Sequence, residues 1–365
     1  MSLFTPKFLQ DLSNPSINSV FLTGCGGGFD FVHSVTIIPE LKRLNKSYII
    51  GSYSFGQPQE IKAEIIFSTL DSTVIAKKVY ACSECSQDYC PEVAICQFLD
   101  LEFPEDSPHF VYAYYARDFS VGILKELHLW IIRQHSVDAI LLFDGGSDSL
   151  MKGDESGLGD PVEDAVSVAA VAEAEVGMKV LICIGIGCDR FNEVSDRSTL
   201  RAISEITRMG GFLGSVSLEK GNPTTEFYKR CLDFIYTKQD FRSVLSGSII
   251  AALDGYFGDE NIPSSVVGRV RQGSLFIWPL MSMLWGFDVK LVDQRSLITK
   301  WIRSAAISKE SYQILNTQRN FLYNKGEILE IEELPQQKHY SFSGFIEREE
   351  EKVNSQISKA KNTRK

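Results

Sequence analysis

Apolar and polar positions alternate along the chain with two different periods. Short apolar runs of strand length, such as residues 137–143 (VDAILLF) and 180–186 (VLICIGI), are separated by longer stretches in which apolar residues recur at helical spacing. Strands that alternate with helices are typical of βα units stacked into a mostly parallel sheet, so the pattern predicts an α/β fold. The predicted strands are residues 19–23, 47–53, 110–115, 137–143, 180–186 and 212–216.

The clearest predicted helix is the Ala-rich segment 161–175. Asp160 is its predicted N-cap and Pro161 its first residue, while Glu163 and Asp164 complement the positive end of the helix dipole. The other predictions are helices at 31–44, 118–135, 197–209, 225–236 and 242–254, a hairpin at 63–81 and a mixed segment at 274–292.

Length and composition suit a soluble globular protein. The 365 residues are 44% hydrophobic and 23% charged, which excludes a wholly disordered, collagen-like or coiled-coil chain. Beyond residue 335 the composition shifts to Gln, Ser, Glu and Lys. We expect one α/β domain over residues 1–335 and a charged C-terminal tail over 336–365, either flexible or loosely attached as a helix.

The charge balance limits the partners. Lys and Arg number 37 and Asp and Glu 47, giving a formal net charge of −10, which repels nucleic acid and anionic lipid where no basic patch overrides it. The N-terminus lacks the pattern of a secretory signal, and no window has the about 18 apolar residues of a membrane span. We expect a cytoplasmic protein that binds neither nucleic acid nor membrane; whether it forms a homo-oligomer stays open.

Eight cysteines are too few for a disulfide scaffold in a chain of this length, so reduced thiols are expected. Four of them, Cys82, Cys85, Cys90 and Cys96, lie close together in the sequence. The first pair has the CxxC spacing of a zinc knuckle, but the third and fourth thiols follow too soon for most structural zinc sites. Zinc ligation and ordinary thiols both stay open for this group, with a helix expected to start at Pro91.

Three predicted strands end in turns rich in glycine and aspartate: VFLTGCGGGFD (residues 20–30), ILLFDGGSDS (140–149) and LICIGIGCD (181–189). Parallel strands place their carboxyl ends at one edge of the sheet, and open α/β folds bind ligands there. We therefore expect the three turns to meet and to form the ligand site.

The first turn predicts an anion site. Its glycines lie between a strand and a helix, where bare backbone N–H groups can approach a phosphate or carboxylate. The spacing matches neither the dinucleotide-binding GxGxxG nor the Walker A loop, and the alternative is a tight, closely packed turn. Cys25 is the thiol best placed for a lowered pKa. The ligand-binding candidates are Gly24, Cys25, Gly26, Gly27, Gly28 and Asp30.

The second turn contains the strongest candidates for chemistry. Asp144 ends a buried strand and Asp148 follows it; we predict both as catalytic residues and as ligands of Mg²⁺ or Mn²⁺, with sugar hydroxyls as alternative partners. Helix capping and solvated loop charge are sufficient explanations for the other acids of this segment. The ligand-binding candidates here are Gly145, Gly146, Ser147 and Asp154.

The third turn adds Asp189 as a further catalytic candidate and Gly187 as a ligand-binding candidate. Asp189 could equally cap the following helix or pair with Arg190. Other catalytic templates are absent from the sequence, which contains neither GxSxG nor HExxH. No motif provides for a redox cofactor.

The chain resembles the family known as domain of unknown function 1152. The resemblance lies in GCGGGFD, in DGGSDSL followed by GDE and DPVEDA, in the GIGCD strand end and in SGSIIAALDGYFGD, across most of residues 20–288. It implies a Rossmann-like fold without an established reaction, so we expect a doubly wound, mostly parallel Rossmann-like sheet with helices on both faces. The DGGSD turn is also locally similar to the DGGNE-type turn of D-glutamate cyclase proteins, with Ser147 replacing Asn and Asp148 replacing Glu.

Two functional hypotheses follow. The first is an enzyme that binds a phosphorylated or carboxylated small metabolite, such as a nucleotide, with the glycines holding the anion and Asp144 and Asp148 holding a divalent cation. Hydrolysis or group transfer is the favoured reaction class. The second is a non-catalytic ligand-sensing or assembly protein that uses the same pocket, because the sequence shows no clearly tuned general base.

Overall fold

The strands of the described chain form one large sheet. The computed structural model describes residues 4–72, 74–86, 88–115, 119–259 and 275–330. Within them the strands are β1 (Ser19–Gly24), β2 (Ser47–Ser54), β3 (Ile61–Lys62), β4 (Glu64–Ser68), β5 (Ile75–Tyr80), β6 (Glu84–Cys85), β7 (Phe110–Tyr115), β8 (Ala139–Asp144), β9 (Met178–Cys183), β10 (Phe212–Ser217) and β11 (Met283–Asp288). Nine of these strands share the sheet, and the short β3 and β6 pair separately.

The centre of the sheet is parallel. The strand order is β10-β11-β9-β8-β1-β2-β7-β5-β4, and the five strands from β9 to β7 run parallel to one another. Antiparallel strands complete both sides. Taken in chain order, the parallel strands have the Rossmann arrangement 3-2-1-4-5. The predicted α/β class with a mostly parallel sheet is confirmed, and the order reverses between β1 and β8.

Helices cover both faces of the sheet. Alternate residues of β1 enter different cores: Phe21 packs in one, and Val20 and Leu22 pack in the other, as the two-residue period of a strand requires. The helices are α1 (Lys7–Leu12), α2 (Ile38–Arg43), α3 (Pro91–Glu102), α4 (Val121–His135), α5 (Pro161–Ala172), α6 (Asp196–Arg208), α7 (Pro223–Tyr236), α8 (Val244–Leu253), α9 (Val289–Arg295), α10 (Ile298–Ile302) and α11 (Ser308–Lys325). Helices α4 and α5 contribute to the first core and α2, α3 and α7 to the second.

The segment after β1 differs from its prediction. We expected one amphipathic helix over residues 31–44, but a 3₁₀ helix, Asp30–Ile37, precedes the short α2. Every residue from Phe31 to Ile37 is buried, so this segment has no solvent-exposed face. Tertiary packing, and not helical periodicity, determines its conformation.

Helix α5 begins at Pro161 as predicted, but its cap is different. Asp160 stands at the N-cap position without a side-chain cap hydrogen bond. Its carboxylate instead accepts from Tyr312 OH at 2.8 Å, so the predicted capping role of Asp160 is wrong. The predicted hairpin is confirmed by the antiparallel pairing of β4 with β5, and the helix at Pro91 is confirmed by α3.

Some predicted segments lie outside the described residues: the tail at 336–365, the first residue of the helix predicted from 118, and residue 274. The described residues belong to one compact unit, Met1–Ile331. Among the helices described, none combines the length and apolar character that crossing a membrane requires.

Candidate functional site

The three predicted turns lie at the point where the strand order reverses. β1 ends at Gly24, and its neighbour β8 ends at Asp144. Cys25 N donates to Phe143 O at 2.7 Å, and Ile184 N, just after β9, donates to Asp144 O at 2.9 Å. The carboxyl ends of these three strands therefore form one continuous edge, which is where open α/β sheets bind ligands.

Two carboxylates connect the turns through backbone amides. Asp30 accepts from Gly26 N at 2.9 Å and from Gly145 N at 3.1 Å. Asp189 accepts from Ser147 N at 2.6 Å. Acids of the first and third turns thus hold the second turn from both sides.

Neither structural alternative for Asp189 matches the described contacts. Arg190 forms its ion pair with Asp196, and the side chain of Ser195 caps α6. Asp189 is buried, and a Cβ atom at Gly146 would lie only 2.4 Å from its Oδ2. The bare Cα of Gly146 is therefore what lets this carboxylate approach the second turn.

Three carboxylates converge at this edge. Asp30, Asp144 and Asp164 each place one oxygen within 4.8 Å of the others; no other set of His, Cys, Asp or Glu in the described chain was found with such spacing. Asp144 and Asp164 are buried, whereas Asp30 is partly exposed. We call these three residues the strand-end acids. Carboxylate oxygens are the ligands that Mg²⁺ and related hard cations prefer.

Burial raises the pKa values of the acids at this edge. The pKa of Asp144 rises to about 6 and the pKa values of Asp189 and Glu163 rise to about 7, mainly because burial penalises the charged form. Burial and then repulsion by neighbouring carboxylates raise the pKa values of Asp30, Asp148 and Asp164 well above the usual range. Within the described residues, no lysine or arginine forms an ion pair with any of these acids.

Asp164 has surroundings that the sequence did not indicate. It lies in the first turn of α5, where we expected it to complement the helix dipole. It is only 5% exposed, and its Oδ1 has no hydrogen-bond partner within the described residues. Leaving such a group unsatisfied costs about 1–3 kcal/mol. The apolar, Ala-rich sequence of α5 could have indicated this burial, because a helix without a polar face does not expose its acids to solvent.

The amides of the glycine turn already have acceptors within the protein. Gly26 N donates to a carboxylate, as described above, while Gly27 N donates to Glu163 Oε2 at 3.1 Å. Gly28 N donates to Tyr53 O at 3.0 Å. Groups of the chain itself therefore occupy the cradle in which we expected an anion.

An aromatic ring explains two of these glycines. A Cβ atom at Gly27 would lie 2.1 Å from a ring carbon of Phe55, and one at Gly28 would lie 2.9 Å from that ring. Gly28 also has φ +75°, which a glycine adopts without strain. At Gly24, a Cβ atom would meet Gly26 O at 3.0 Å. The closely packed turn, the alternative considered for this sequence, describes these positions.

Cys25 is not an activated thiol. Burial, followed by repulsion from Asp164 and Asp144, raises its pKa well above the usual value. Its Sγ contacts Asp164 O at 3.7 Å. The expectation of a lowered pKa is wrong because the thiol is buried and because acids surround the sulfur.

Asp148 lies beside the strand-end acids but outside the group of three. Its Oδ2 accepts from Asp160 N at 3.1 Å, and repulsion by Asp164 and Asp189 adds to burial in raising its pKa. A Cβ atom at Gly159 would lie 2.7 Å from this carboxylate. Asp148 is therefore enclosed by the loop that leads into α5.

The remaining two candidates have other neighbours. Asp154 forms ion pairs with Lys152 and with Arg201, the latter at 3.3 Å, and the strand-end acids are not among its described contacts. Gly187 has φ +92°, and a Cβ atom there would lie 2.5 Å from Trp278 Nε1. Gly187 therefore permits the close packing of an indole ring.

The four clustered cysteines do not converge within the described residues. Cys96 is buried on α3, with Sγ 3.4 Å from Val79 O, whereas Cys82 is exposed. Cys85 and Cys90 are near neighbours. The described geometry gives the zinc interpretation no support.

Comparison with known proteins assigns a family without an activity. Residues 108–323 match the family described as "Protein of unknown function (DUF1152)". Searches of curated proteins and of solved structures gave no match.

Proposed function

The chain belongs to the DUF1152 family, whose description names no reaction, and we propose from the geometry that it is a metal-dependent enzyme acting on a small anionic metabolite. The strand-end acids would hold Mg²⁺ or Mn²⁺, and the substrate would carry a phosphate or carboxylate, as in a nucleotide. Hydrolysis or group transfer is the proposed reaction class, because no redox-cofactor motif was found in the sequence.

One observation carries this proposal: three carboxylates, two of them buried and one partly buried, converge without a described counter-charge. Burying ionised groups without a partner costs several kcal/mol per ion. Asp30, Asp144 and Asp164 would share that cost with a divalent cation, which would also give Asp164 Oδ1 a partner. The convergence therefore supports a bound cation more directly than any single residue does.

The cation also accounts for how an anion could bind here. The edge is strongly acidic, and the glycine amides already have acceptors, so a free phosphate would be repelled. A bound divalent ion reverses the local sign of charge and polarises a phosphoryl or carbonyl oxygen as a Lewis acid. The anion would thus contact the metal, and not the glycine amides that the sequence suggested.

The proposed acid–base residue is Asp189. A proton carrier works best with a pKa close to the working pH, and burial raises the pKa of Asp189 to about 7. Ser147 N holds the carboxylate in place beside the second turn. Asp144 would ligate the cation, and Asp148 would complete the wall of the site.

The proposed setting is a reducing cytoplasm. All cysteines of the chain are in the thiol form, and the net charge of −10 disfavours nucleic acid and anionic membranes as partners. A small molecule is the expected partner, and a homo-oligomer is compatible with the proposal.

The test uses the full chain, freed of metal by chelation. Nucleotides, sugar phosphates and inorganic phosphate are screened for thermal stabilisation with and without Mn²⁺ or Mg²⁺, and stabilising ligands are then incubated and analysed for products by mass spectrometry. We expect metal-dependent stabilisation followed by turnover, both lost in Asp144→Asn and retained in Asp154→Asn. Stabilisation without product would instead favour a ligand-sensing protein, and no response to any anion with metal would refute the proposed function.

A further inference from the structure

A buried histidine beside the strand-end acids has no role so far. His33 lies in the 3₁₀ helix that follows the glycine turn and is completely buried. Its Nδ1 is 2.8 Å from the hydroxyl oxygen of Tyr228 on α7. Its Nε2 has no hydrogen-bond partner within the described residues. A buried polar atom left in this way needs an explanation, because most such atoms in folded proteins have a partner.

The unpartnered nitrogen points toward the site. A Cβ atom built on Gly145 would lie 2.7 Å from His33 Nε2 and 2.9 Å from Asp30 Oδ1. The nitrogen and the carboxylate oxygen therefore approach the same small space next to the second turn. Since residue 145 is glycine, no side chain separates them.

The chemistry of this imidazole suits a metal ligand. Burial lowers the pKa of His33 to about 3, so the ring is neutral and keeps a lone pair. A ligating histidine usually donates its other N–H to a fixed acceptor, which sets the tautomer and the ring orientation. The contact between Nδ1 and the Tyr228 hydroxyl is compatible with the tautomer in which Nδ1–H donates to the hydroxyl oxygen, and in that tautomer the lone pair is on Nε2.

We propose that His33 Nε2 is the nitrogen ligand of the centre formed with Asp30, Asp144 and Asp164, and that this centre prefers a transition-metal ion such as Mn²⁺ to Mg²⁺ or Ca²⁺. The inference rests on the proposed function. Carboxylate oxygens suit Mn²⁺, Mg²⁺ and Ca²⁺ alike, whereas an imidazole nitrogen favours first-row transition metals, so the nitrogen is what would favour Mn²⁺ over Mg²⁺ and Ca²⁺. Nε2 lies outside the set of atoms within 4.8 Å, so binding draws the imidazole and the Asp30 carboxylate together, and the bare Gly145 leaves room for this movement.

Pulsed electron paramagnetic resonance of bound Mn²⁺ tests the ligand directly. The full wild-type chain is loaded with one equivalent of Mn²⁺, and electron spin echo modulation from ¹⁴N is recorded. A coordinated imidazole gives this modulation, and labelling all histidines with ¹⁵N must replace it with the ¹⁵N pattern. This comparison needs no substitution, so it does not depend on whether a variant folds.

Two variants identify the histidine. His33→Gln should remove the nitrogen modulation while Mn²⁺ stays bound, and the preference for Mn²⁺ over Mg²⁺ should fall at least about tenfold. His128→Gln is the matched control, because His128 is also buried, also has a pKa lowered to about 3, and lies on α4 with both ring nitrogens unpartnered among the described residues. It should leave the spectrum unchanged.

The outcomes separate this inference from the proposed function. Bound Mn²⁺ without histidine modulation, or modulation that persists in His33→Gln, would overturn the role of His33 and leave a centre of carboxylates. Failure of the wild-type chain to bind Mn²⁺ at all would overturn both.

Discussion

Two groups of buried or partly buried acids, the loop acids and the strand-end acids, have opposite surroundings. The loop acids, Asp154 and Glu155, follow β8 by about ten residues. Glu155 is 1% exposed, accepts from the amides of Lys152 and Gly153, and lies 3.4–3.6 Å from two arginines, Arg201 and Arg295. The strand-end acids are similarly enclosed but have no described cationic side chain near enough for an ion pair.

The comparison shows that burial alone does not identify a functional acid. Buried charge persists in a folded protein when something compensates it. The loop acids are compensated within the chain, and their role is to hold the loop. The strand-end acids are compensated only in part, by backbone amides and hydroxyl groups, and this difference points to a cation from solution.

The largest expected change in unfolding free energy concerns the loop acids, whose charge is compensated within the chain. Arg295 is 5% exposed at its side chain, and its Nη1 donates to Leu150 O at 2.6 Å. Replacement by Met leaves Glu155 with less compensation, so we expect Arg295→Met to lower the free energy of unfolding by about 3–5 kcal/mol, measured by urea denaturation. Adding Glu155→Gln should restore part of the loss; a variant as stable as wild type would show that the loop acids need no counter-charge.

The second prediction concerns the strand-end acids and the stability that a bound cation adds. Mn²⁺ at a concentration 100 times its Kd should raise the free energy of unfolding by about 2.7 kcal/mol, because the ion binds the folded state alone. Asp144→Asn should remove this gain, whereas Asp154→Asn should keep it. Equal stabilisation of both variants would place the ion elsewhere.

A smaller effect is expected from pH. The pKa of Asp144 is about 6 in the folded chain, above its usual value of 3.8, so the folded state holds this proton more tightly than the unfolded state. Relative to Asp144→Asn, the metal-free wild-type chain should therefore lose about 2 kcal/mol of stability as the pH rises from 4 to 7.

The comparison with the variant is needed because other groups titrate in the opposite sense. The pKa values of His33 and His128 are lowered to about 3, so they destabilise the folded chain toward acid pH. Their contribution is shared by both proteins and largely cancels in the difference. Denaturation curves at several pH values, recorded in the presence of a chelator, measure the difference in unfolding free energy between the wild-type chain and Asp144→Asn. A difference that does not change with pH would show that burial does not raise the pKa of Asp144.

The sequence was sufficient for the fold and for the edge that forms the site. Residues 139–143 of β8 and 180–183 of β9 are apolar on both faces, which is typical of strands covered by helices on both sides. The acidic and glycine-rich turns directly after such strands must lie at the carboxyl edge, so Gly24 and Asp144 end neighbouring strands. Topology alone brings these turns together.

The sequence could not identify which acids share one space. Asp164 fits a helix-dipole role in any first turn, and only the packing of α5 against the sheet shows that it faces inward. The glycines were similarly ambiguous: bare amides could hold an anion, but Phe55, 27 residues after Gly28, occupies that side of the turn. Both ambiguities concern contacts between segments that are distant in the chain.

Direct titration of Mn²⁺ is the most direct test of the cation centre. Free Mn²⁺ is measured by its electron paramagnetic resonance signal during addition to the metal-free chain, in parallel with Asp164→Asn and Asp154→Asn. We expect one ion per wild-type chain, binding about 100-fold weaker in Asp164→Asn, equivalent to about 2.7 kcal/mol, and unchanged binding in Asp154→Asn. Wild-type affinity in Asp164→Asn, or binding lost only in Asp154→Asn, would contradict the assignment of the ion to the strand-end acids.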